Sequence, residues 1–370
     1  LSNSLEQIEG IQSVNNGATN SKPVIRGFQA NRIAIISDNI KQEEQQWANS
    51  HGLAIDQFEV DNAVLIKGPS ALIYGSDAIG GILKFNKDHT IKKNTSETQT
   101  IAYYRSVNNT IGSATKIKLN KNHHYLSARF GIADYGDYKV PAENYTYLGY
   151  KLPIYENTLK NTAGTEVNGA VTYGKNFDKG FTRLTLSNFY QRVGNFPGAT
   201  GLPTFYNLSP DKSRNITIPS QETNHFKIAS ESNIAFSKSW LELNIGYQYN
   251  LRREYGLPAA AGFPYEADND LATELQLNTI STNATLHLPP HKKHEDILGF
   301  QTTSQFNRAA GFEYALANYN WFNSGIYGIK KWKKGDNINI NAGLRFDYTY
   351  TNTQETTTPF YYQLVYVGEA

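Results

Sequence analysis

Leu241–Leu251, with the sequence LELNIGYQYNL, alternates strictly between apolar and polar residues. Its odd positions are all Leu, Ile or Tyr, and its even positions are Glu, Asn, Gly, Gln and Asn. Because successive side chains of a strand point to opposite faces, this pattern indicates one apolar and one polar environment. Ile338–Tyr350 repeats it, with the apolar residues at even positions. Both runs are at least as long as the roughly 9–11 residues of a tilted membrane-crossing strand, whereas strands of soluble sandwiches average about 5–6 residues.

Eleven candidate strands of this kind follow one another in the second part of the chain. They lie near 98–106, 112–121, 124–136, 167–177, 181–193, 224–237, 240–254, 274–288, 297–309, 322–332 and 337–352. The connectors after the third, fifth and seventh are long, and those after the fourth, sixth, eighth and tenth are short and polar. Sorting of loops by length is typical of an outer-membrane β-barrel, with short periplasmic turns and long outer loops.

The chain divides into two regions. Residues 1–90 have the texture of a small mixed α/β domain, with a short helix predicted over 2–11, strands over 32–37 and 63–66, and a turn-rich run over 74–81. Residues 87–97 are polar and predict a linker, and 91–370 hold the barrel strands. Eleven strands cannot close a barrel of even strand number. We therefore expect about half of a 22-stranded antiparallel barrel, the size of the plugged transporters.

Composition excludes several classes of protein. The net charge of +2 gives no reason to expect a nucleic-acid partner. The 370 residues include no cysteine, so disulfides and thiolate metal sites are excluded. Neither a G-x-S-x-G elbow nor a Walker loop is present, and the carboxylates are scattered. The sequence therefore predicts no enzyme, no catalytic residue and no cofactor.

Several ordered motifs in the first 85 residues resemble the plug domain of TonB-dependent receptors. Lys22–Gly27 (KPVIRG) is similar to the P-x-IRG segment of that family, Ile66–Ser76 (IKGPSALIYGS) to IKGPASLLYGS, and Asp77–Leu83 (DAIGGIL) to the strand that ends the plug. The residues of these motifs that we expect to maintain the plug fold are Arg26, Gly27, Lys67, Gly68, Pro69, Tyr74, Gly75, Gly80 and Gly81.

The resemblance implies a plugged β-barrel in the outer membrane of a Gram-negative bacterium. It implies active import of a scarce nutrient, with energy from the TonB–ExbB–ExbD complex. A ferric siderophore or other iron complex is the leading cargo, and haem, cobalamin, zinc, copper or a glycan are alternatives. It also predicts that Arg26 and Lys67 lie between the plug and the barrel, although Val64 stands where the family usually has a glutamate.

Two segments contain candidate substrate-binding residues. Gln45–Gly52 is similar to a QQWG..HG segment in one branch of the family and supplies Gln45, Gln46, Trp47 and His51. These side chains could stack on a ligand and hydrogen-bond to it; alternatively, Trp47 packs against the barrel wall and His51 caps a turn. Arg252 and Arg253, beside Glu254 at an outer strand end, could receive an anionic chelate.

A histidine cluster near the end of the eighth candidate strand contains possible metal ligands. His287, His291 and His294 precede two carboxylates. Such residues can bind zinc or copper, but we expect a solvated periplasmic turn there and predict no metal site.

A passive porin would also show alternating strands, yet it needs no N-terminal mixed domain. A secreted β-rich binding protein would have shorter strands and unsorted loops.

Overall fold

A computed structural model describes residues 5–16, 20–45, 51–147, 149–197, 214–258, 269–289, 294–313, 315–334 and 338–355. None of the helices in these ranges is both long and apolar enough to cross a membrane. Residues 91–94 link a small N-terminal domain, which we call the plug, to a sheet of eleven long strands, which we call the wall.

The plug contains a hairpin, a four-stranded sheet and three short 3-10 helices. Its strands are β1 (Ile11–Asn16), β2 (Asn20–Ile25), β3 (Ala34–Ser37), β4 (Ile40–Lys41), β5 (Asn62–Ile66) and β6 (Ile82–Asn86). Its 3-10 helices span Ala30–Arg32, Pro69–Tyr74 and Ser76–Ala78. The sheet has the order β4-β3-β6-β5, with β3 and β6 parallel. Both of its faces carry buried apolar side chains, so the plug has a hydrophobic core of its own.

The plug differs from the sequence prediction at its N-terminus. The helix predicted over 2–11 does not extend through its described part, because turns occupy 6–10 and β1 begins at Ile11. β1 and β2 form an antiparallel hairpin in which Ile11 faces Ile25. Both side chains are buried in the core of the plug. Burial of this pair explains why strand pairing prevails over a short helix.

Two glycines of the motif region have backbone roles that no other residue fills easily. Gly68 has a φ of 80° directly before Pro69, the first residue of the Pro69–Tyr74 helix. A Cβ at Gly80 would lie 2.6 Å from the Cβ of Phe28 and 2.9 Å from the carbonyl oxygen of Arg32. Gly80 therefore lets the chain pass close to the segment before β3, as its place in the motif predicted.

The wall confirms all eleven predicted strands. They are β7 (Thr95–Arg105), β8 (Thr110–Lys121), β9 (His124–Tyr135), β14 (Gly164–Phe177), β15 (Gly180–Gly194), β16 (Ser220–Ala235), β17 (Trp240–Tyr255), β18 (Leu271–His287), β19 (His294–Ala310), β20 (Tyr319–Lys334) and β21 (Ile338–Thr353). Each pairs antiparallel with its neighbour in the chain. Between β9 and β14 the chain forms β10 (Tyr138–Lys139), β11 (Asn144–Tyr147), β12 (Tyr150–Pro153) and β13 (Thr158–Leu159).

The connectors sort by length between the two ends of the wall. At one end, 122–123, 178–179, 236–239, 288–293 and 335–337 join successive strands; we call this the short-turn end. At the other, the long-connector end, the long connectors 136–163, 195–219 and 256–270 join them, together with the shorter connectors 106–109 and 311–318. The predicted alternation of loops is therefore confirmed, and it places each wall residue at a known level between the two ends.

The two faces of the wall differ as the alternation predicts. In β17, Gln248 is buried and bonded to the plug, with its Nε2 donating to the carbonyl oxygen of Lys41 at 2.8 Å. Ile245, three residues earlier in the same strand, is 44% exposed on the other face. The polar face of the wall thus covers the plug, and the apolar face points outward.

Contacts from both edges of the wall converge on the plug. Near one edge, Arg105 donates to Gln57 at 2.9 Å, and at the other edge Arg345 of β21 donates to plug carbonyls. A sheet that reaches one small domain from its first strand and from its last must curve around it. The plug therefore sits in the concavity of a curved, partial barrel.

Candidate functional site: the interface between plug and wall

An ion-pair network joins the centre of the plug to the wall. Asp38, at the tight turn between β3 and β4, is 6% exposed in its side chain. Its Oδ2 lies 2.7 Å from Nζ of Lys227 on β16, and Lys87 pairs with both Asp38 and Glu59. These two cations hold the pKa of Asp38 well below its usual range against the opposing effect of burial. The carboxylate is therefore ionised in the docked plug.

The network continues to β9. Arg129 pairs with Asp56, and its Nη2 lies 3.5 Å from Oε2 of Glu59. The members are the acids Asp38, Asp56 and Glu59 and the bases Lys87, Arg129 and Lys227. Buried charges are tolerated only when they are paired. Three acids against three bases make this interface electrically neutral, although it is built from charged groups.

A second cluster lies towards the long-connector end and contains two predicted substrate residues. The side chain of His51 is 1% exposed, and its Nε2 lies 2.6 Å from Oε1 of Glu254. Its Nδ1 contacts the carbonyl oxygen of Gln45. Gln45 is buried as well, and its Nε2 donates to Oδ1 of Asn307 at 2.8 Å. Gln45 and His51 thus fasten the plug to β17 and β19.

His51 and Glu254 form a partly buried hydrogen-bonded pair beside Arg252. Nδ1 of His51 faces a carbonyl oxygen, which only accepts, so this nitrogen carries a hydrogen. The 2.6 Å contact between Nε2 and the carboxylate then needs another hydrogen on one of the two groups. Burial, and next the charge of Arg252, lower the pKa of His51, while Glu254 opposes them. Burial raises the pKa of Glu254, but the hydrogen bond to His51 and the charges of His51 and Arg252 outweigh it, so the pKa of this carboxyl group is lowered as well.

The other predicted cluster is divided by the wall. Arg252 is fully buried on the plug side, where its Nη1 donates to Oε1 of Gln221 at 3.0 Å. Arg253 points to the outward face, and its Nε donates to Oε2 of Glu274 at 2.6 Å. The prediction that both arginines form one anion-binding group with Glu254 is therefore wrong, because neighbours in a strand lie on opposite faces. Gln46 and Trp47 lie outside the described residues.

A third attachment lies at β21. Arg345 donates to the carbonyl oxygens of Leu72 and Ile73 at 3.1 and 3.2 Å. Its Nε and Nη2 each lie 2.7 Å from a carboxylate oxygen of Asp347, and Nη2 also donates to Gln301 at 2.9 Å. The guanidinium therefore caps the exposed carbonyls near the end of the Pro69–Tyr74 helix, within the motif region of the plug.

Two cations of the motifs lie on the surface of the described structure. Arg26 and Lys67 are exposed, and Nζ of Lys67 donates to the backbone oxygen of Glu9 at 3.4 Å. Arg26 follows β2 and Lys67 follows β5, whereas the wall contacts described above come mainly from the turn after β3, the segment 42–61 and Lys87. Neither cation contacts the described part of the wall through a hydrogen bond or ion pair, and their place between the plug and the barrel stays a prediction.

The histidines near the short-turn end are arranged differently from a metal site. His287 stacks on Trp240, with ring centroids 4.2 Å apart and an interplanar angle of 10°. His294 pairs with Asp296 at 3.4 Å, and His291 lies outside the described residues. Within the described ranges, no group of three or more His, Cys, Asp or Glu side chains could hold a metal ion.

A cavity of the interface opens near the long-connector end. Its volume is about 410 Å³, and Gln45, Leu277, Tyr319 and Trp321 contribute to its lining. Aromatic and polar groups together suit a small organic ligand or chelate. Tyr319 and Trp321 were not singled out from the sequence, since nothing local marks which wall residues reach the plug.

Docking of the plug to the wall should depend on pH because of His89, another residue that the sequence did not single out. Burial, and next the charges of Arg183 and Lys87, lower the pKa of His89 from 6.5 to about 4. A plug released from the wall therefore binds more protons than a docked plug between these two values, so docking weakens as the pH falls from 6.5 towards 4. Hydrogen exchange of plug amides, compared at each pH with His89→Phe, measures this.

The control in that comparison retains a ring. His89 makes an edge contact with Tyr125 at a centroid distance of 5.5 Å, which phenylalanine can keep. We expect the difference in exchange between the two proteins to change through the acid range. A difference that is constant from pH 7 to 4 would contradict the assignment.

Comparison with known proteins agrees with this architecture. Residues 1–82 match the family model described as TonB-dependent Receptor Plug Domain. A hemin receptor of Yersinia pestis is 28% identical over 82 residues, which are 22% of this chain and 12% of that protein. Solved structures resemble the whole described fold at low identity.

Two of these structures illustrate the extent of the match. The FrpB iron transporter of Neisseria meningitidis matches with a TM-score of 0.72 at 15% identity. The match covers 96% of this chain and 58% of the FrpB chain. The ferric yersiniabactin uptake receptor FyuA of Yersinia pestis has a TM-score of 0.62 at 15% identity, covering 94% and 53%. The chain thus spans little more than half the length of these structures. Residues 1–82 thus match a TonB-dependent receptor plug domain, and the eleven-stranded wall has the fold of the corresponding part of the β-barrel in these structures.

Proposed function

We propose that the complete protein imports an iron complex actively across the outer membrane, with energy from the TonB–ExbB–ExbD complex. The observation that carries this proposal is the way the plug is held. It occupies the concavity of the wall, so it obstructs the lumen, yet charged and hydrogen-bonding side chains supply its main attachments to the wall. Such contacts can be exchanged for water when the plug moves, whereas a large apolar interface could not be.

The core of the plug supports the same proposal. Ile25 and Leu83 are fully buried within the plug itself. Because this apolar core does not depend on the wall, part of the plug can leave the wall without exposing it. A porin needs no such obstruction, and this argues against passive diffusion.

Iron is proposed as the cargo from the relatives. The matched structures include an iron transporter and a ferric yersiniabactin receptor, and the matched curated protein is a hemin receptor. The cavity of about 410 Å³ is the proposed place of first contact. Gln46 and Trp47 are proposed to touch the ligand. Gln45 and His51, which bind the plug to the wall, and the buried Arg252 are proposed to support the ligand site indirectly.

The outer membrane of a Gram-negative bacterium is the proposed location. The outward face of the wall carries exposed apolar residues such as Leu184, Ile245 and Phe300, and lipid would cover them. A secreted binding protein would leave this face in water, which is unfavourable. We propose no enzymatic activity and no resident cofactor.

Uptake by living cells tests the proposal. Cells that carry the complete gene are offered a panel of labelled ferric chelates, with and without TonB. We expect one chelate to accumulate only when TonB is present. If no ferric chelate accumulates, the cargo is wrong, and the panel moves to haem, cobalamin, copper, zinc and glycans. Uptake that is indifferent to TonB would refute active transport.

A further inference from the structure

Three cavities lie in a row between the plug and the wall, and strands β15 to β21 contribute to their lining. The first is the cavity of about 410 Å³ near the long-connector end, which we call the upper cavity. The third, the lower cavity, has about 280 Å³ and includes Arg183, Glu231 and Glu242 near the short-turn end. A void of about 10 Å³, which we call the neck, lies between them and has room for about one water molecule.

Shared lining residues connect the three cavities. Lys41 and Glu43 line both the upper cavity and the neck. Asn39 and Asn244 line both the neck and the lower cavity. The three voids therefore form one seam, which runs past the hairpin of β3 and β4 from one end of the wall to the other.

The walls of the neck contain polar atoms without partners. Oδ1 of Asn244, Oγ1 of Thr279 and Oγ of Ser281 are buried and make no hydrogen bond in the described structure. All three residues line the neck and are at most 9% exposed. A buried hydroxyl or amide without a partner costs about 1–3 kcal/mol, and a protein removes that cost by admitting water or a polar ligand.

Ile40, which lines the neck, packs against Gly246 of β17. A Cβ placed on Gly246 of β17 would lie 3.2 Å from Cγ2 of Ile40 and 3.1 Å from Oγ of Ser281. Ile40 thus fills the space that the glycine leaves. It directly follows Asp38 and Asn39, which form the two-residue turn with φ of 53° and 59°. Any shift of this hairpin moves Ile40.

We propose that the solute crosses the lumen along this seam, and that displacement of the β3–β4 hairpin from β17 opens the neck while the rest of the plug stays in place. This rests on the proposed transport function and adds the route. The neck offers neutral amide and hydroxyl groups, from residues such as Asn283, Gln301 and Thr303. The positive charge of Lys41 is paired with Glu43 at 2.5 Å and Asp77 at 2.6 Å, so this cation is not free to hold an anion. The route therefore suits a hydrophilic, hydrogen-bonding solute.

A disulfide across the neck tests the route. The chain contains no cysteine, so the pair Ile40→Cys and Gly246→Cys adds a single defined crosslink at positions whose side chains would touch. In the complete receptor, we expect TonB-dependent uptake to be lost on oxidation and restored by a reductant. Binding of the substrate at the cell surface should persist in both states.

The matched control crosslinks the plug to the wall away from the neck. Leu72 of the plug contacts Gly343 of β21 much as Ile40 contacts Gly246, since a Cβ on Gly343 would lie 2.6 Å from Cδ1 of Leu72. We expect oxidised Leu72→Cys with Gly343→Cys to transport normally. Loss of uptake with both crosslinks would overturn the proposal, because the whole plug would then have to move. Uptake that survives the crosslink at the neck would overturn it as well.

A second measurement does not depend on transport. A small hydrophilic thiol reagent should label Ser281→Cys in the purified receptor faster than Leu275→Cys, which replaces a fully buried apolar side chain of the same strand. Equal protection of the two cysteines would show that the seam is dry and would overturn the route. Labelling at Ser281→Cys without TonB-dependent uptake would instead show that the seam exists and that the proposed transport function has failed.

Discussion

Arg345→Met is expected to loosen the plug from the wall by about 2–3 kcal/mol, because the charged hydrogen bonds from the guanidinium to the plug carbonyls of Leu72 and Ile73 are lost. The arginine side chain is 4% exposed, and Asp347 is 28% exposed, so solvent offsets part of the loss. Methionine approaches the volume of arginine but donates no hydrogen bond. The carbonyl oxygens of Leu72 and Ile73 and the carboxylate of Asp347 would all lose their donor.

Proteolysis of the plug over a urea series measures this effect in the purified complete receptor. The midpoint for cleavage within the plug should fall, while the strands of the wall remain resistant. Arg345→Lys is the matched control, because it keeps the charge. A single ammonium group cannot reach Asp347 and both carbonyls together, so we expect an intermediate midpoint. A wild-type midpoint in Arg345→Met would show that this attachment contributes nothing.

The wall could be predicted from the sequence almost completely, and the reason is that its signal is local. Over the eleven residues Leu241–Leu251 of β17, the side chains that face outward are Leu, Ile and Tyr, and the residues between them are polar or glycine. A period of two defines a strand and its two faces without knowledge of any other strand. Loop lengths then order the strands between the two ends. No contact over a long sequence separation is needed for either step.

The plug hairpin was missed for the opposite reason. β1 reads IQSVNN, with one buried isoleucine at its start and no sustained alternation. The preceding segment has apolar residues at helical spacing, which favoured a helix there. What decides the structure is the pairing of Ile11 with Ile25 in the core of the plug. That pairing is a tertiary contact, and a short segment with weak periodicity does not reveal it.

The attachments between plug and wall could be predicted least. Asp38 and Lys227 are 189 positions apart in sequence and 2.7 Å apart in the structure. One signal was available: Lys227 is a lone lysine on the polar face of β16, between Phe226 and Ile228 on the apolar face. A cation in that position must find an acid inside the barrel. The sequence alone does not show which acid of the plug provides it.

Asp38→Asn is the second substitution with a large expected effect. It leaves Lys227 and Lys87 facing a neutral amide in a buried setting, and loss of one partner of a buried pair typically costs about 3–5 kcal/mol. Lys227→Met alone should cost less, because Asp38 keeps Lys87. The contribution of Asp38 to docking should not change with pH near neutrality, because its low pKa keeps the carboxylate ionised there. That contribution is lost only in strong acid.

A double-mutant cycle shows whether the pair acts as a unit. If the two charges compensate each other, Asp38→Asn combined with Lys227→Met costs less than the sum of the single changes, by about 0.5–3 kcal/mol. Lys116→Met is the control, because its pair with Asp61 at 3.0 Å is partly solvated and should contribute less than about 1 kcal/mol. Additive losses would mean that Asp38 and Lys227 stabilise the docked plug independently. A coupled pair would instead hold the β3–β4 hairpin against the wall until the contact between Asp38 and Lys227 breaks. The same hairpin carries Ile40, which lies in the neck, so this ion pair would also resist opening of the neck.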